Sequence, residues 1–449
     1  MLDEEKYNRL NDLKTELIKH NYNYYVLDDP RIPDFEYDRL FRELQELESI
    51  IPDLITYDSP TQRVGVAHQG KFDQIEHPTP MLSLGNAFDD QEFISWYVRI
   101  CKLLDVDNVD IVGELKFDGL AVALTYENGR FVQGGTRGDG SFGEDVTANL
   151  RTVRSLPLRL LGNQILDRFE VRGEVFFPKS KLITLNQERA SRGEAEYANA
   201  RNTAAGSLRQ LDPAITASRS LDIFIYGIGY PFEIFPNTHW ETLRMLSDLG
   251  FKVNPMSRLL TSIDEALEFY NQKLNELDSM DVACDGIVFK VNNFDYQNIL
   301  GNVSREPRWA IAFKFPSVQE VTRLIDIRVN VGRTGSINPY AVLEPVNING
   351  VIVERATLHN ADFVSSKELM IGDFVVVERA GEVIPQIVSS LKERRNGEEI
   401  LWKMPENCPE CDQELKEFES EVNVYCINAF CEAQLKRLVE HFVSRQAMD

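Results

Sequence analysis

Three lysines stand where lysines are costly. Lys116 lies in "GELKFDGLAV", Lys290 in "DGIVFKVN" and Lys314 in "WAIAFKFP", each inside an apolar, strand-like run. Burying an ammonium is unfavourable unless it is paired or held neutral. One K-x-D-G taken alone is an ordinary edge-strand lysine reaching for water. Three such lysines form a pattern. Clustered lysines depress one another's pKa through repulsion and desolvation, so one can attack as a neutral amine while the others hold a polyanion. The electrophile that suits lysines and arginine is phosphorus. Arg137 sits in a glycine-rich loop, "TRGDGSFGEDVT". "EVRGEVFFP" puts Arg172 and Glu174 on one strand face, two residues apart. Glu174 and Asp285 suit a hydrated Mg²⁺, which prefers few protein oxygens plus substrate phosphate.

A second constellation is metallic. Four of the six cysteines read Cys408-x2-Cys411, fourteen residues, then Cys426-x4-Cys431. Four thiolates at that spacing predict a closed, structural Zn²⁺ site. Cys101 and Cys284 read as ordinary buried cysteines.

The elements that must carry these residues fill several domains, since 449 residues exceed one core. Leu10, Leu13 and Leu17, then Tyr37, Leu40, Phe41, Leu44 and Leu47, predict two helices joined by "LDDPRIPD", with Asp34 as an N-cap. Residues 66 to about 316 alternate β-rich runs with helical stretches near 240–249 and 263–277. They predict an α+β domain with a largely antiparallel sheet. Pro316 begins a joint. From about 323 to 400, short strands and glycine turns predict a small barrel or sandwich. The chain stops at "EHFVSRQAMD" without a helix stop signal, which reads as a cut before a further domain.

No apolar run approaches a membrane span and the charged N-terminus is no signal peptide, so a cytosolic protein is expected. The net charge of −23 argues against a nucleic-acid partner only as a sum. Residues 1–60 hold fifteen acidic and seven basic side chains, whereas residues 137–209 hold nine acidic and twelve basic ones. A local basic groove remains open.

The ordered set K-x-D-G, a strand glutamate, D-G-I-V-x-K and a lysine in A-x-K-F resembles the covalent nucleotidyltransferases, the polynucleotide ligases and capping enzymes. "YYVLDDPRIPDFEYDRLFREL", "DSPTQRVG", "PMLSLGNAF", "ARNTAAGSLRQLDP", "VGRTGSINP", "ATLHN" and the zinc cysteines are similar to one branch, the NAD-dependent bacterial DNA ligases, from about residue 15 to the end.

That resemblance implies a multidomain α+β chain. A helical domain for the nicotinamide mononucleotide half spans 1–68 and a nucleotidyltransferase domain, unlike ATP-grasp, spans 69–316. An OB fold covers 317–402, a zinc finger 403–436, and 437–449 begin a truncated domain that precedes helix-hairpin-helix and BRCT domains. It also implies residue roles. Lys116 is the adenylated nucleophile. Glu114, Ser83 and Leu84 meet adenine and its loop, and Arg137 and Glu174 the ribose. Lys290 and Lys314 surround adenine and the α-phosphate, with Asp118 and Asp285 as motif acids. Tyr24, Tyr25, Asp34, Tyr37 and Asp38 receive the nicotinamide half, whose cationic ring suits aromatic faces and carboxylates.

The same resemblance implies that Arg201, Arg209 and Arg333 engage nicked duplex DNA. Glu378 and Glu382 depart from the family's barrel loop, where Arg379 still serves. The resemblance also implies NAD, Mg²⁺ or Mn²⁺, and Zn²⁺ as cofactors and a nucleoid-associated cytoplasmic monomer. Rival readings are an ATP-dependent ligase or capping enzyme, and a non-catalytic DNA-binding scaffold of OB fold and zinc finger. The hairpin with Tyr24, Asp34 and Tyr37 favours NAD, since ATP gives it nothing to hold. The lysine set argues against the scaffold.

Overall fold

The computed structural model describes residues 4–25, 31–32, 34–51, 55–56, 58–62, 72–162, 167–231, 234–303, 306–316, 318–348, 351–380, 384–417 and 424–442. The chain divides into two compact units, Met1–Phe315 and Pro316–Asp449. Among the described residues, no helix is long and apolar enough to cross a membrane.

The first unit opens on a helical hairpin, Glu4–Tyr25 against Asp34–Ile50. Leu10, Leu13 and Leu17 meet Leu40 and Leu44, all buried, as an apolar stripe at helical spacing demands. Tyr22 donates its hydroxyl to the Ser247 carbonyl at 3.3 Å, and Arg130 pairs with Asp58 at 3.2 Å. These contacts seat the hairpin region on the domain that follows.

That domain is built on two sheets. The five-stranded one runs Gly85–Ala87, Ala310–Lys314, Cys284–Val291, Ile111–Phe117, Arg258–Leu260; its first pair is parallel and the rest are antiparallel. The four-stranded one is antiparallel throughout and runs Arg130–Thr136, Leu120–Glu127, Arg168–Phe176, Asp222–Tyr230. Phe117 joins them by stacking on Phe224 at 4.7 Å and Phe176 at 6.0 Å. Strand Ile111–Phe117 passes into Leu120–Glu127 through Asp118 and Gly119. A Cβ on Gly119 would lie 2.2 Å from the Val175 carbonyl oxygen, so the last letter of K-x-D-G must be glycine for the strands to close up.

In the second unit, strand Gln319–Val331 pairs with both Ser336–Ile348 and Phe374–Ala380, and Ile384–Ser390 and Val351–Thr357 complete the ring. The result is a closed five-stranded barrel around Leu324, Ile327, Leu343, Val375 and Val377. Closure removes the free edges that a sandwich would keep. Strand Val424–Tyr425 adds to Ser336–Ile348 and brings the cysteine cluster with it; helix Glu432–Phe442 follows. The multidomain α+β architecture with an antiparallel core, a barrel and a four-cysteine finger is the one expected.

Candidate active site and metal centre

Register builds the site. Gly286 is the cross-strand partner of both Lys116 and Lys314, so the three stand in one row across three strands. Because side chains alternate, Glu114, Lys116, Lys290 and Lys314 all leave the same face of the sheet. Gly286 leaves the space between the two lysines open, and a Cβ there would lie 2.4 Å from the Phe313 carbonyl oxygen. A bulge between Cys284 and Gly286 leaves Asp285 without a register partner. Bulges re-aim side chains; this one turns the Asp285 carboxylate onto the lysines.

Lys116 Nζ lies 3.1 Å from each oxygen of that carboxylate, and Lys314 Nζ also donates to Oδ2. Oδ1 is close enough to Lys116 for an ion pair but accepts no aligned hydrogen bond. Burial, then the Lys116 charge, lower the Lys314 pKa against the pull of Asp285. Arg201 donates to Asp118 beside them. Glu174 is enclosed by protein without being sealed from solvent. Burial lifts its pKa to about 7; Lys116, Arg201 and the Gly119 N–H pull it down, and Asp118 adds to the rise.

A second cluster surrounds Glu114, which is only 5% exposed. Its Oε1 lies 2.7 Å from Lys290 Nζ and 2.7 Å from His239 Nε2. Burial raises the Glu114 pKa, but Lys290 and His239 outweigh it and the net shift is downward. Burial and the Lys290 charge lower the His239 pKa, so the imidazole is neutral and donates from Nε2 to the carboxylate. Lys290 also donates to the Tyr226 carbonyl at 2.7 Å, with its ammonium 5.1 Å from the centre of the Tyr226 ring. Sequence reasoning missed His239 and Tyr226. The available signals were a histidine at the start of a Thr238-capped helix and a tyrosine in the alternating strand "DIFIYGIGY".

Around the rim, Arg137 donates to Ser83 Oγ at 2.6 Å and to the Met81 carbonyl at 3.3 Å; Leu84 is half-buried beside strand Gly85–Ala87. Arg172 shares its face with Glu174 but turns to the Thr79 and Pro80 carbonyls and Glu170. Arg209 grips Glu144 with two hydrogen bonds of 2.5 and 2.7 Å. Arg201 and Arg209, expected to face DNA, thus both hold carboxylates here. Arg333 is exposed on the turn after Gln319–Val331, and Glu378 accepts from Gln319 and Gln386.

Tyr37 is half-buried in the hairpin, donating to Asn21 at 2.9 Å and stacking near Phe41 at 6.1 Å. The side chains of Tyr24, Tyr25, Asp34, Asp38 and Arg379, and the whole of Glu382, lie outside the described residues.

The thiols of Cys408, Cys411, Cys426 and Cys431 all lie within 4.8 Å of one another. Cys411 and Cys426 sulfurs are 3.5 Å apart, Cys408 and Cys431 sulfurs 4.0 Å. Tetrahedral coordination with Zn–S bonds of about 2.3 Å puts sulfurs roughly 3.8 Å apart, so the four residues fit Zn²⁺ with no position left for substrate.

Comparison with known proteins finds relatives for the regions that hold both centres. Residues 69–318 match the NAD-dependent DNA ligase adenylation domain, 321–399 the NAD-dependent DNA ligase OB-fold domain, 407–433 its C4 zinc finger domain, and 3–65 a DNA ligase-like, N-terminal NAD⁺-binding domain. A DNA ligase of Dehalococcoides mccartyi is 49% identical over 98% of this chain and 66% of its own length. DNA ligases of Roseiflexus castenholzii and Thermotoga neapolitana are 49% identical, over 100% and 97% of this chain and 64% and 63% of theirs. The chain thus spans just under two thirds of the curated relatives it matches. With the adenylation model alone covering residues 69–318, lysine row, bulge and flanking strands included, the chain belongs to the NAD-dependent DNA ligase family.

Proposed function

We propose that this chain carries the adenylating machinery of an NAD-dependent DNA ligase that seals 5′-phosphate/3′-hydroxyl nicks in duplex DNA. The Lys116 amine attacks the α-phosphorus of NAD⁺. A P–N bond forms, the pyrophosphate P–O bond breaks, nicotinamide mononucleotide leaves, and the ammonium proton passes to solvent. The adenylate then moves to the 5′-phosphate at a nick, and the 3′-hydroxyl displaces AMP. The observation that carries this reading is the Lys116–Asp285–Lys314 arrangement. Asp285 holds the nucleophile in place, and Lys314 stands ready for the charge that grows on the phosphoryl oxygens.

Glu114 and Lys290 read the base, with Ser83 and Leu84 beside it. Arg137 and Glu174 take the ribose, and Asp118 orients Arg201. Tyr24, Tyr25, Asp34, Tyr37 and Asp38 take the nicotinamide half. Glu174 and the unaligned Asp285 Oδ1 fit a divalent cation, Mg²⁺ or Mn²⁺, which would supply charge neutralisation at the phosphates. Arg201, Arg209 and Arg333 engage DNA phosphates, Arg201 and Arg209 by exchanging their carboxylates for them. The proposed partition is 1–68, 69–316, 317–402, 403–436 and 437–449. The protein acts as a monomer in the cytoplasm at the nucleoid, and the 449-residue chain adenylates itself but seals nicks poorly.

Intact mass after incubation with NAD⁺ and Mg²⁺, with ATP in parallel and Lys116→Ala as control, tests the reading. One adenylate gained from NAD⁺ only, and lost in the control, is the expected result. A gain from ATP would move the chain to the ATP-using branch. No gain from either would leave a DNA-binding scaffold.

A further inference from the structure

The Glu114 carboxylate is used on one side only. Oε1 accepts from His239 at 2.7 Å and is ion-paired with Lys290 Nζ at 2.7 Å, while Oε2 accepts no hydrogen bond among the described residues. Lys290 divides its N–H groups between the Tyr226 carbonyl and this side of Glu114, so its ammonium supplies charge while His239 supplies the aligned hydrogen bond. His239 is 4% exposed, sits at the first position of helix His239–Asp248, and packs edge-on against Phe294 at 6.3 Å. It is therefore a fixed donor, not a mobile one. With Oε1 held by the His239 hydrogen bond and the Lys290 charge, the carboxylate stays ionised and Oε2 faces the pocket as an acceptor. A carboxylate that lost one donor in so buried a place would take up a proton more readily and become a donor itself.

We infer that His239 sets the base specificity of the nucleotide pocket: by donating to Glu114 Oε1 it keeps Glu114 Oε2 an acceptor, so the pocket selects a purine bearing a 6-amino group over one bearing a 6-carbonyl group. His239 is thus a positioning residue that acts through Glu114. The inference rests on the proposed adenylation reading and deepens it. A 6-amino group donates to the free oxygen, whereas a 6-carbonyl would set two acceptors against each other in a desolvated site. Sites built to bond a substrate N–H reject analogues lacking it far more strongly than size alone allows.

The test compares transfer from NAD⁺ and from nicotinamide hypoxanthine dinucleotide, which differ at the 6-position of the purine. In both reactions Lys116 forms the P–N bond and nicotinamide mononucleotide leaves; the two dinucleotides are run separately, and mass analysis of the Lys116-bearing peptide distinguishes the adenylyl from the inosinyl adduct. The wild-type chain is expected to prefer NAD⁺ by about 100-fold or more. His239→Leu, which keeps bulk and removes the donor, is expected to narrow that ratio at least tenfold. His239→Gln, whose amide nitrogen reaches the Nε2 position, is expected to restore it. His239→Asn, too short to reach, behaves like His239→Leu and replaces it if that variant does not fold. A purely structural histidine would slow both dinucleotides in proportion, and an unchanged ratio in His239→Leu or His239→Asn would overturn the inference while leaving adenylation intact. Failure of the wild-type chain to label from NAD⁺ would overturn the adenylation reading, and this inference with it.

Discussion

Lys116 and Asp285 meet across neighbouring strands with the lysine Nζ 3.1 Å from both carboxylate oxygens. The contact exists because a bulge frees Asp285 from the pairing pattern just before Gly286, and Lys314 shares the same carboxylate. Asp285→Asn leaves two crowded ammonium groups with no anion between them. We expect self-adenylation to fall by two orders of magnitude or about 3 kcal/mol in the barrier. Stopped-quench labelling with radioactive NAD⁺ measures it; a loss under tenfold would remove Asp285 from the phosphoryl-transfer machinery.

Glu174 makes stability depend on pH. Its carboxyl titrates at about 7 in the folded chain, against 4.5 for the unperturbed group. The folded state therefore holds a proton that the unfolded state releases. Stability from this group is fully present below pH 4.5 and is lost as pH rises through 7. The full loss is about 3 kcal/mol. Glu174→Gln should flatten the wild-type decline of unfolding free energy between pH 5 and 8, followed by urea denaturation. Parallel curves for the two proteins would show that Glu174 titrates normally.

Gly286→Ala forces a Cβ to 2.4 Å from the Phe313 carbonyl oxygen, a backbone atom that cannot swing away. The strands carrying Lys290 and Lys314 must spread. A stability loss of about 3 kcal/mol is expected. Thermal unfolding would show it as a lower midpoint; an unshifted midpoint would mean the sheet has slack at the lysine row.

The cysteine cluster should bind one Zn²⁺ per chain. Elemental analysis of purified protein reads the stoichiometry directly. Cys426→Ser removes one of four sulfurs around the metal and should cut zinc retention in competition with a chromogenic chelator by 10-fold or more. Retention equal to wild type would mean that three thiols hold the ion unaided.

Much of this was written legibly in the chain. Lysines inside apolar strands demand partners, so Lys116, Lys290 and Lys314 announced themselves, as did the two cysteine pairs. Helices expected at 240–249 and 263–277 lie at His239–Asp248 and Ile263–Glu276, because Thr238 and Ser262 cap their starts. Partners distant in sequence were hidden. Arg201 finds Asp118 across 83 residues and Arg209 finds Glu144 across 65, pairings that no local spacing encodes. His239 was silent for the same reason: its partner Glu114 is 125 residues away. Strand pattern alone left barrel and sandwich open, and only the family resemblance named the OB-fold barrel, because the choice depends on Gln319–Val331 pairing on both sides, and alternation along one strand does not reveal how many neighbours it has.

The row formed by Lys116, Gly286 and Lys314 sets a limit on how this protein can change over time. These strands count in twos, so adding or deleting one residue within Ile111–Phe117, Cys284–Val291 or Ala310–Lys314 would invert every side chain beyond that point. A lysine would enter the aromatic interior and a phenylalanine would take its place on the face that carries the lysine row. Length in these three segments is therefore as constrained as identity. Drift by insertion belongs to the connections, such as the exposed residues 191–196 between helices Lys179–Ser191 and Ala200–Leu208, where a lost or gained residue does not change which face the chemistry is on.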